Sequence, residues 1–351
     1  MKAFGSHSVV FMRRAFSARV EGLIMYRQIV LLPLTVFTLF GCSSTPSLDA
    51  YSSFATTTES VSSDMTTYFS AFSTVSVEHK LHTVAATYQG VQAKKLVPET
   101  ITSITSPFEE RKRANALTLY KSADALRKYA ASLNSLANAV NEDDVKLAAS
   151  QMLWSVKGIS EQYSEYTGTP LKDYEKYGSE VTAFISTLGT SYLNREKDKA
   201  LREIIIQADE SVSLLIGEMV SALENGGVVV LYRIAIESEI NDMVLNYRKL
   251  AKDPDTSYQS RRDLVTSIYQ KSKEMDAFEA RSLVTINALK EIKSTHNTMA
   301  TAFAKDDINK DTIMNAVGQL KYAHGSYRSL NKLIEKCTDG VTRVDNVLTC
   351  K

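Results

Sequence analysis

The 351-residue chain lacks the motifs that usually reveal chemistry. It has no Walker loop, no dinucleotide-binding glycine fingerprint, no Gly-x-Ser-x-Gly elbow and no His-Glu-x-x-His zinc motif. The Glu-x-x-His pairs of di-iron bundles are missing too: three residues before His79, His82, His296 and His324 stand Ser76, His79, Lys293 and Lys321. The charge balance is almost neutral, with 41 basic and 40 acidic residues, so there is no basic footprint for nucleic acid. There are three cysteines and no Cys-x-x-Cys redox pair. Proline is scarce, at six residues, and the β-branched alternation that marks strands is missing.

What is present is helical periodicity. Leu119, Ala123, Leu126, Ala130, Leu133, Ala137 and Val140 recur in alternating steps of four and three, a heptad seam. The spacing predicts further seams through Leu147, Trp154, Ile159 and Tyr163, through Tyr174, Tyr177, Val181, Phe184 and Leu188, and through Leu201, Ile205, Ala208, Val212, Leu215, Met219 and Ala222. Two more run through Phe278, Ser282, Thr285, Leu289, Ile292, His296, Met299 and Phe303, and through Ala316, Leu320, Ala323, Tyr327, Leu330, Ile334 and Cys337. Turn signals separate them: Asn141-Glu142-Asp143-Asp144, Asn225-Gly226-Gly227 and Asp253-Pro254-Asp255-Thr256, with Asp306 or Asp307 as the cap of the last helix. Asn194 to Lys199 breaks the seam's phase and reads as a stutter or a solvent-exposed elbow. The fold class that follows is all-α: an elongated antiparallel bundle of long, coiled-coil-like helices over residues 51–351, with a possible subdivision near 194–200. The 17 tyrosines suit half-buried seams, where the ring packs and the hydroxyl reaches a polar partner.

At the N-terminus, Arg27 precedes the apolar run Ile29 to Phe40, then Gly41 and Cys42, and Ser43-Ser44-Thr45-Pro46-Ser47 follows. This is the layout of a secretory signal. Leu39-Phe40-Gly41-Cys42 resembles the lipobox of bacterial lipoproteins; Phe40 stands where that family prefers a small or β-branched residue. The resemblance implies cleavage before Cys42, acylation of Cys42 with fatty chains such as palmitate, and a lipid anchor. Ser43, where an Asp commonly signals inner-membrane retention, implies the inner leaflet of the outer membrane, facing the periplasm. Residues 25–41 are then the signal peptide and 42–50 the lipidated tether. Met25 makes a signal of ordinary length, so translation is expected to start there, leaving residues 1–24 outside the product. Residues 1–41 carry five basic groups and one acidic one, which leaves the mature part slightly acidic.

The other two cysteines, Cys337 and Cys350, are expected to pair in an oxidising periplasm and pin the tail to the last helix. His79 and His82, about one helical turn apart, could share a metal if a third ligand came from elsewhere; solvated helix-face histidines are the simpler reading. Val228, Val229, Val230, Leu231, Ile234 and Ile236 form a short apolar run between long helices. It resembles the membrane-inserting tongue of α-helical pore-forming toxins, although a buried helix start fits its length better, since runs of about ten residues are usually core. The functional expectation is a non-enzymatic binding or scaffolding bundle, without cofactor and without nucleic acid, that meets an envelope protein or glycan. The alternative is a membrane-active bundle that inserts Val228–Ile236. Replacing Cys42 tests the N-terminal reading: a Cys42→Ser variant should accumulate as an unacylated precursor whose intact mass begins at Met25.

Overall fold

The computed structural model of the chain describes residues 46–88, 90–102, 114–169, 193–225, 227–305, 309–344 and 347–351, and Ser44–Lys351 forms one compact unit. Its helices are α1 Pro46–Thr87, α2 Pro98–Thr102, α3 Ala114–Asn138, α4 Glu142–Thr167, α5 Leu193–Glu224, α6 Val228–Leu250, α7 Tyr258–Ala304 and α8 Lys310–Lys336. A 3₁₀ turn, Gly90–Lys95, follows α1, and a hairpin of β1 Val341–Val344 and β2 Val347–Cys350 ends the chain. The all-α bundle is as the periodicity indicates. The 47 residues of α7 span about 70 Å at 1.5 Å per residue.

The ends are set by local chemistry. The Asn141 side chain accepts from the Asp144 amide and caps α4, whose first turn carries Glu142, Asp143 and Asp144. Ser257 caps α7 through the Ser260 amide. The cap of α8 is Asn309, which accepts from the amides of Asp311 and Thr312, and not Asp306 or Asp307, which lie outside the described residues. Gly227 takes a left-handed φ of 73° at the α5–α6 turn, a conformation that suits glycine.

Helix α7 organises the bundle. α5 and α6 follow one another in the same direction along it, both antiparallel to it, and α8 returns beside it. α1 lies antiparallel to α7, with Tyr51 against Phe303 and Tyr68 against Phe278. α3 packs on α1, and α4 packs on α3. The expected seam of α7 is buried from Phe278 to Phe303 without exception, and so is the Leu201–Ala222 seam of α5.

Three expectations are corrected. On α4 the apolar face is Val145, Ala148, Ala149, Met152, Val156 and Ile159, whereas Leu147 and Trp154 point outward at 61 % and 69 % exposure. The heptad extrapolation follows the large residues, but the close packing of α4 on α3 is made by small ones. Val140 is exposed because α3 ends at Asn138. The Asn194–Lys199 stretch is not an exposed elbow: α5 is helical from Leu193, and Lys197 and Asp198 are buried. Lys197 Nζ donates to the carbonyls of Ala139 at 2.7 Å and Ala137 at 3.4 Å, the open acceptors at the end of α3. Burial pushes the Lys197 ammonium below its ordinary pKa. Asp198 is held by Arg202 at 2.7 Å and receives the Tyr51 hydroxyl at 3.5 Å. The seam Tyr174–Leu188 lies outside the described residues.

Cys337 and Cys350 are joined, with their Cα atoms 5.1 Å apart. The bridge closes the hairpin, in which Val341 pairs with Cys350 and Val344 with Val347. The hairpin is an element the sequence reading did not anticipate. It rests on α7 as well as α8: Cys337 and Val341 pack with Ala280 and Leu330, the Tyr269 hydroxyl donates to the Thr338 carbonyl at 3.2 Å, and Lys351 pairs with Asp276. Gly340, at φ 90°, sits where a Cβ would lie 3.4 Å from the Asp276 carboxylate. Replacing both cysteines with alanine should lower the unfolding free energy by roughly 2–4 kcal/mol, read by denaturant titration, with hydrogen exchange accelerated in the hairpin before the helices.

Candidate functional site

Of the residues singled out by sequence, His79, His82 and the Val228–Ile236 run lie on the helices of the α1–α6–α7 junction. Cys42 lies outside the described residues. Val228–Ile236 forms the first two turns of α6, with Val228, Tyr232 and Ile236 in the core and Val230 and Ile234 outward at 54 % exposure each. Val229 and Leu231 are half-buried and pack against the core. Tyr232 stacks on Phe278, ring centroids 3.4 Å apart, and donates its hydroxyl to Glu274 at 3.0 Å. Between Lys197 and Leu250 lies the one window among the described residues that is long and apolar enough to cross a membrane by length and composition; 41 % of that window is buried in the bundle. Insertion of this run would require Val228, Tyr232 and Ile236 to leave the core.

One and two turns farther along, α6 presents Glu239, with a side chain at 0 % exposure. Its Oε1 lies 3.2 Å from His82 Nε2 of α1 and 3.4 Å from Lys271 Nζ of α7, neither with hydrogen-bond geometry, and Oε2 has no partner. Lys271 also pairs with Glu78 and, at 3.2 Å, with Glu274. Burial pushes the Glu239 carboxyl up, against the opposing pull of Lys271 and His82. The Lys271 ammonium is disfavoured by burial, but the hydrogen bond to Glu78 and the charges of Glu274 and Glu239 outweigh this and raise its pKa. The cluster borders a cleft of about 490 Å³ whose wall includes Leu81, Met243 and Leu264. His82 borders it, while His79 Nδ1 is buried without a hydrogen-bond partner. Among the described residues no group of three or more His, Cys, Asp and Glu side chains is placed to hold a metal ion.

A second polar group crosses the core. His296 of α7 has its Nε2 2.8 Å from the Tyr129 hydroxyl of α3 and its Nδ1 2.8 Å from Asp209 Oδ1 of α5. Asn297 donates to Asp209 Oδ2 at 2.8 Å. Every group is satisfied when Nδ1–H donates to the carboxylate and Nε2 accepts from Tyr129. This is a Tyr–His–Asp chain, but Tyr129 and His296 are buried beyond reach of a substrate, so its role is to join three helices. Burial works to raise the Asp209 carboxyl; the hydrogen bonds from His296 and Asn297 and the charge of Lys293 overcome it and hold the group below its ordinary pKa.

A groove of about 780 Å³ lies between α3 and α4. Its floor is small side chains, Ala125, Ala131, Ser132, Ser155 and Gly158, which is why the helices approach closely. Tyr120 and Trp154 stand on its rims with Asp124, Gln151 and Glu161. The Gln162 Oε1 atom in its lining is buried without a partner. Trp154 is the chain's only tryptophan, and Lys157 Nζ lies 5.2 Å from its ring centroid. Sequence reasoning placed Trp154 on a seam and so missed this groove; the only signal for it is the run of small residues facing it from both helices. Neither family models, nor curated proteins, nor solved structures give a match to the chain.

The lowered pKa of Asp209 predicts a pH signature. An acid whose folded pKa lies below its unfolded value, about 3.9, stabilises the fold above that value and loses this contribution as pH falls through the folded one. Asp209→Asn should therefore cost about 1.5–3 kcal/mol at pH 7. The difference from the parent should shrink below about pH 4, as measured by thermal unfolding across pH.

Proposed function

We propose that the chain is a lipid-anchored, non-enzymatic binding bundle of the bacterial cell envelope, held at the outer membrane through Cys42 and facing the periplasm, and that the α3–α4 groove is its binding face. The observation that carries the binding reading is Trp154: a large aromatic ring, 69 % exposed, on the rim of a groove with a floor of small residues. Isolated exposed aromatics are common, but here the ring stands beside hydroxyl, amide and carboxylate groups in one concavity. Of the two partner classes, a glycan fits better than a protein. A sugar's apolar face stacks on an aromatic ring while its hydroxyls exchange hydrogen bonds with side chains such as Gln151, Gln162 and Ser135. The rim charges, Lys121 and Lys128 against Asp124 and Glu161, balance, so the groove presents no net charge of one sign. The non-enzymatic reading is supported by Asp209, which is held by His296 and Asn297, an arrangement suited to structure.

Because Trp154 is the single tryptophan, its fluorescence reports on the groove without labelling. Titration with soluble peptidoglycan fragments should shift its emission to the blue, and Trp154→Ala should weaken co-sedimentation with sacculi about tenfold, as expected for loss of a stacked aromatic contact. Unchanged co-sedimentation, or crosslinking from the groove to a protein alone, would refute the glycan assignment.

A further inference from the structure

Glu239 is not accounted for by the fold. A buried carboxylate ordinarily spends both oxygens on donors, yet Glu239 is fully enclosed with Oε2 unpartnered and Oε1 in contact without hydrogen-bond geometry. It is not short of company: Glu78 and Glu274 stand beside it, so three carboxylates share one ammonium, that of Lys271. These three carboxylates face one ammonium and the imidazole of His82 at the edge of a cleft. A missing cation is what this arrangement lacks. The wall decides its kind: Leu81, Met243 and Leu264 line the same cleft, and an apolar wall gives nothing to a hydrated metal ion but covers a hydrocarbon stem. Lys271 already stands among the carboxylates, leaving no closed ligand set for a metal.

We infer that the cleft between α1, α6 and α7 binds a small organic ammonium, whose N–H groups are taken up by the accessible carboxylates of Glu78 and Glu274, with the buried carboxyl of Glu239 behind them, and whose stem lies on Leu81, Met243 and Leu264. The cleft's volume, about 490 Å³, is within the range of small-molecule sites. The site involves no residue of the α3–α4 groove and stands whether or not that groove takes a glycan.

The probe is n-butylammonium, titrated into the full chain in neutral detergent and followed by methyl NMR at Leu81, Met243 and Leu264, with n-butanol and n-butyrate as controls. The expected result is saturable shifts at these methyls with butylammonium alone, and binding about tenfold weaker in Glu239→Gln, which removes the buried carboxylate behind the site. Glu274→Gln, at a half-exposed position, gives a second reading on a variant that keeps the buried carboxylate; it too should weaken binding. Absence of shifts at millimolar probe, equal shifts with butanol or butyrate, or unchanged affinity in both variants would overturn the inference.

Discussion

The bundle depends on one continuous buried seam. From Phe278 to Phe303, α7 places an inward side chain at every heptad position, and most of the other long helices are located by where they meet it. A helix of this length has no stability of its own to spare in water; it is held by the partners laid along it. α5 covers its C-terminal half and α6 its N-terminal half, with the break at Asn225–Gly227 permitting one helix to end and the next to restart in the same direction. α1 and α8 close the other sides, which leaves α3 and α4 to be carried outward on α1 and α5.

An apolar seam alone would let helices slide by a turn, and the buried polar pairs oppose this. Tyr51, Tyr68, Tyr129, Tyr232 and Tyr327 are buried, and each hydroxyl meets a partner on another helix: Asp198, the Phe278 carbonyl, His296, Glu274 and the Asp64 carbonyl. A slip of one turn would leave these hydroxyls unpaired in the core, at about 1–3 kcal/mol each. Burial pushes the phenols of Tyr51, Tyr68, Tyr232 and Tyr327 up, that of Tyr327 to about 12, so these stay neutral donors at any physiological pH. Lys197 works similarly, fixing the start of α5 to the end of α3 through two carbonyls.

The seams of α5, α7 and α8 were legible because large apolar residues recur there without interruption, and burial follows size. α4 was misread for the opposite reason. Its core face is mostly Ala, Val and Ser, and its largest side chain points outward, so ranking positions by size reversed the helix. The Asn194–Lys199 run was taken as exposed because it is charged; what the residue types do not reveal is that the far end of α3 supplies acceptors for Lys197 and that Tyr51 and Arg202 hold Asp198. The disulfide was legible from compartment and spacing, but the hairpin it closes was not, since four-residue strands fall below any periodic signal. His82 was noticed, but Glu239 and Lys271, its neighbours on two other helices, are far away in sequence and have no local signature.

The two polar clusters thus obey different rules. Around His296 each donor has an acceptor and the chain of contacts ends at a carboxylate with two fixed partners, so the group explains itself as a joint between α3, α5 and α7. Around Lys271 the count does not close. If registry were its only use, two carboxylates would have satisfied the ammonium, and a neutral residue at 239 would have avoided desolvating a third. A core tolerates such an uncompensated group only where something offsets it, and a binding event is one such compensation. The excess carboxylate lies where α1, α6 and α7 leave a cleft between them, beside the helix whose apolar first turns are otherwise absorbed into the core. The part of α6 that drew notice by its hydrophobicity is thereby the ordinary part, and the chemical tension lies one to two turns farther on, at a residue that composition alone does not mark.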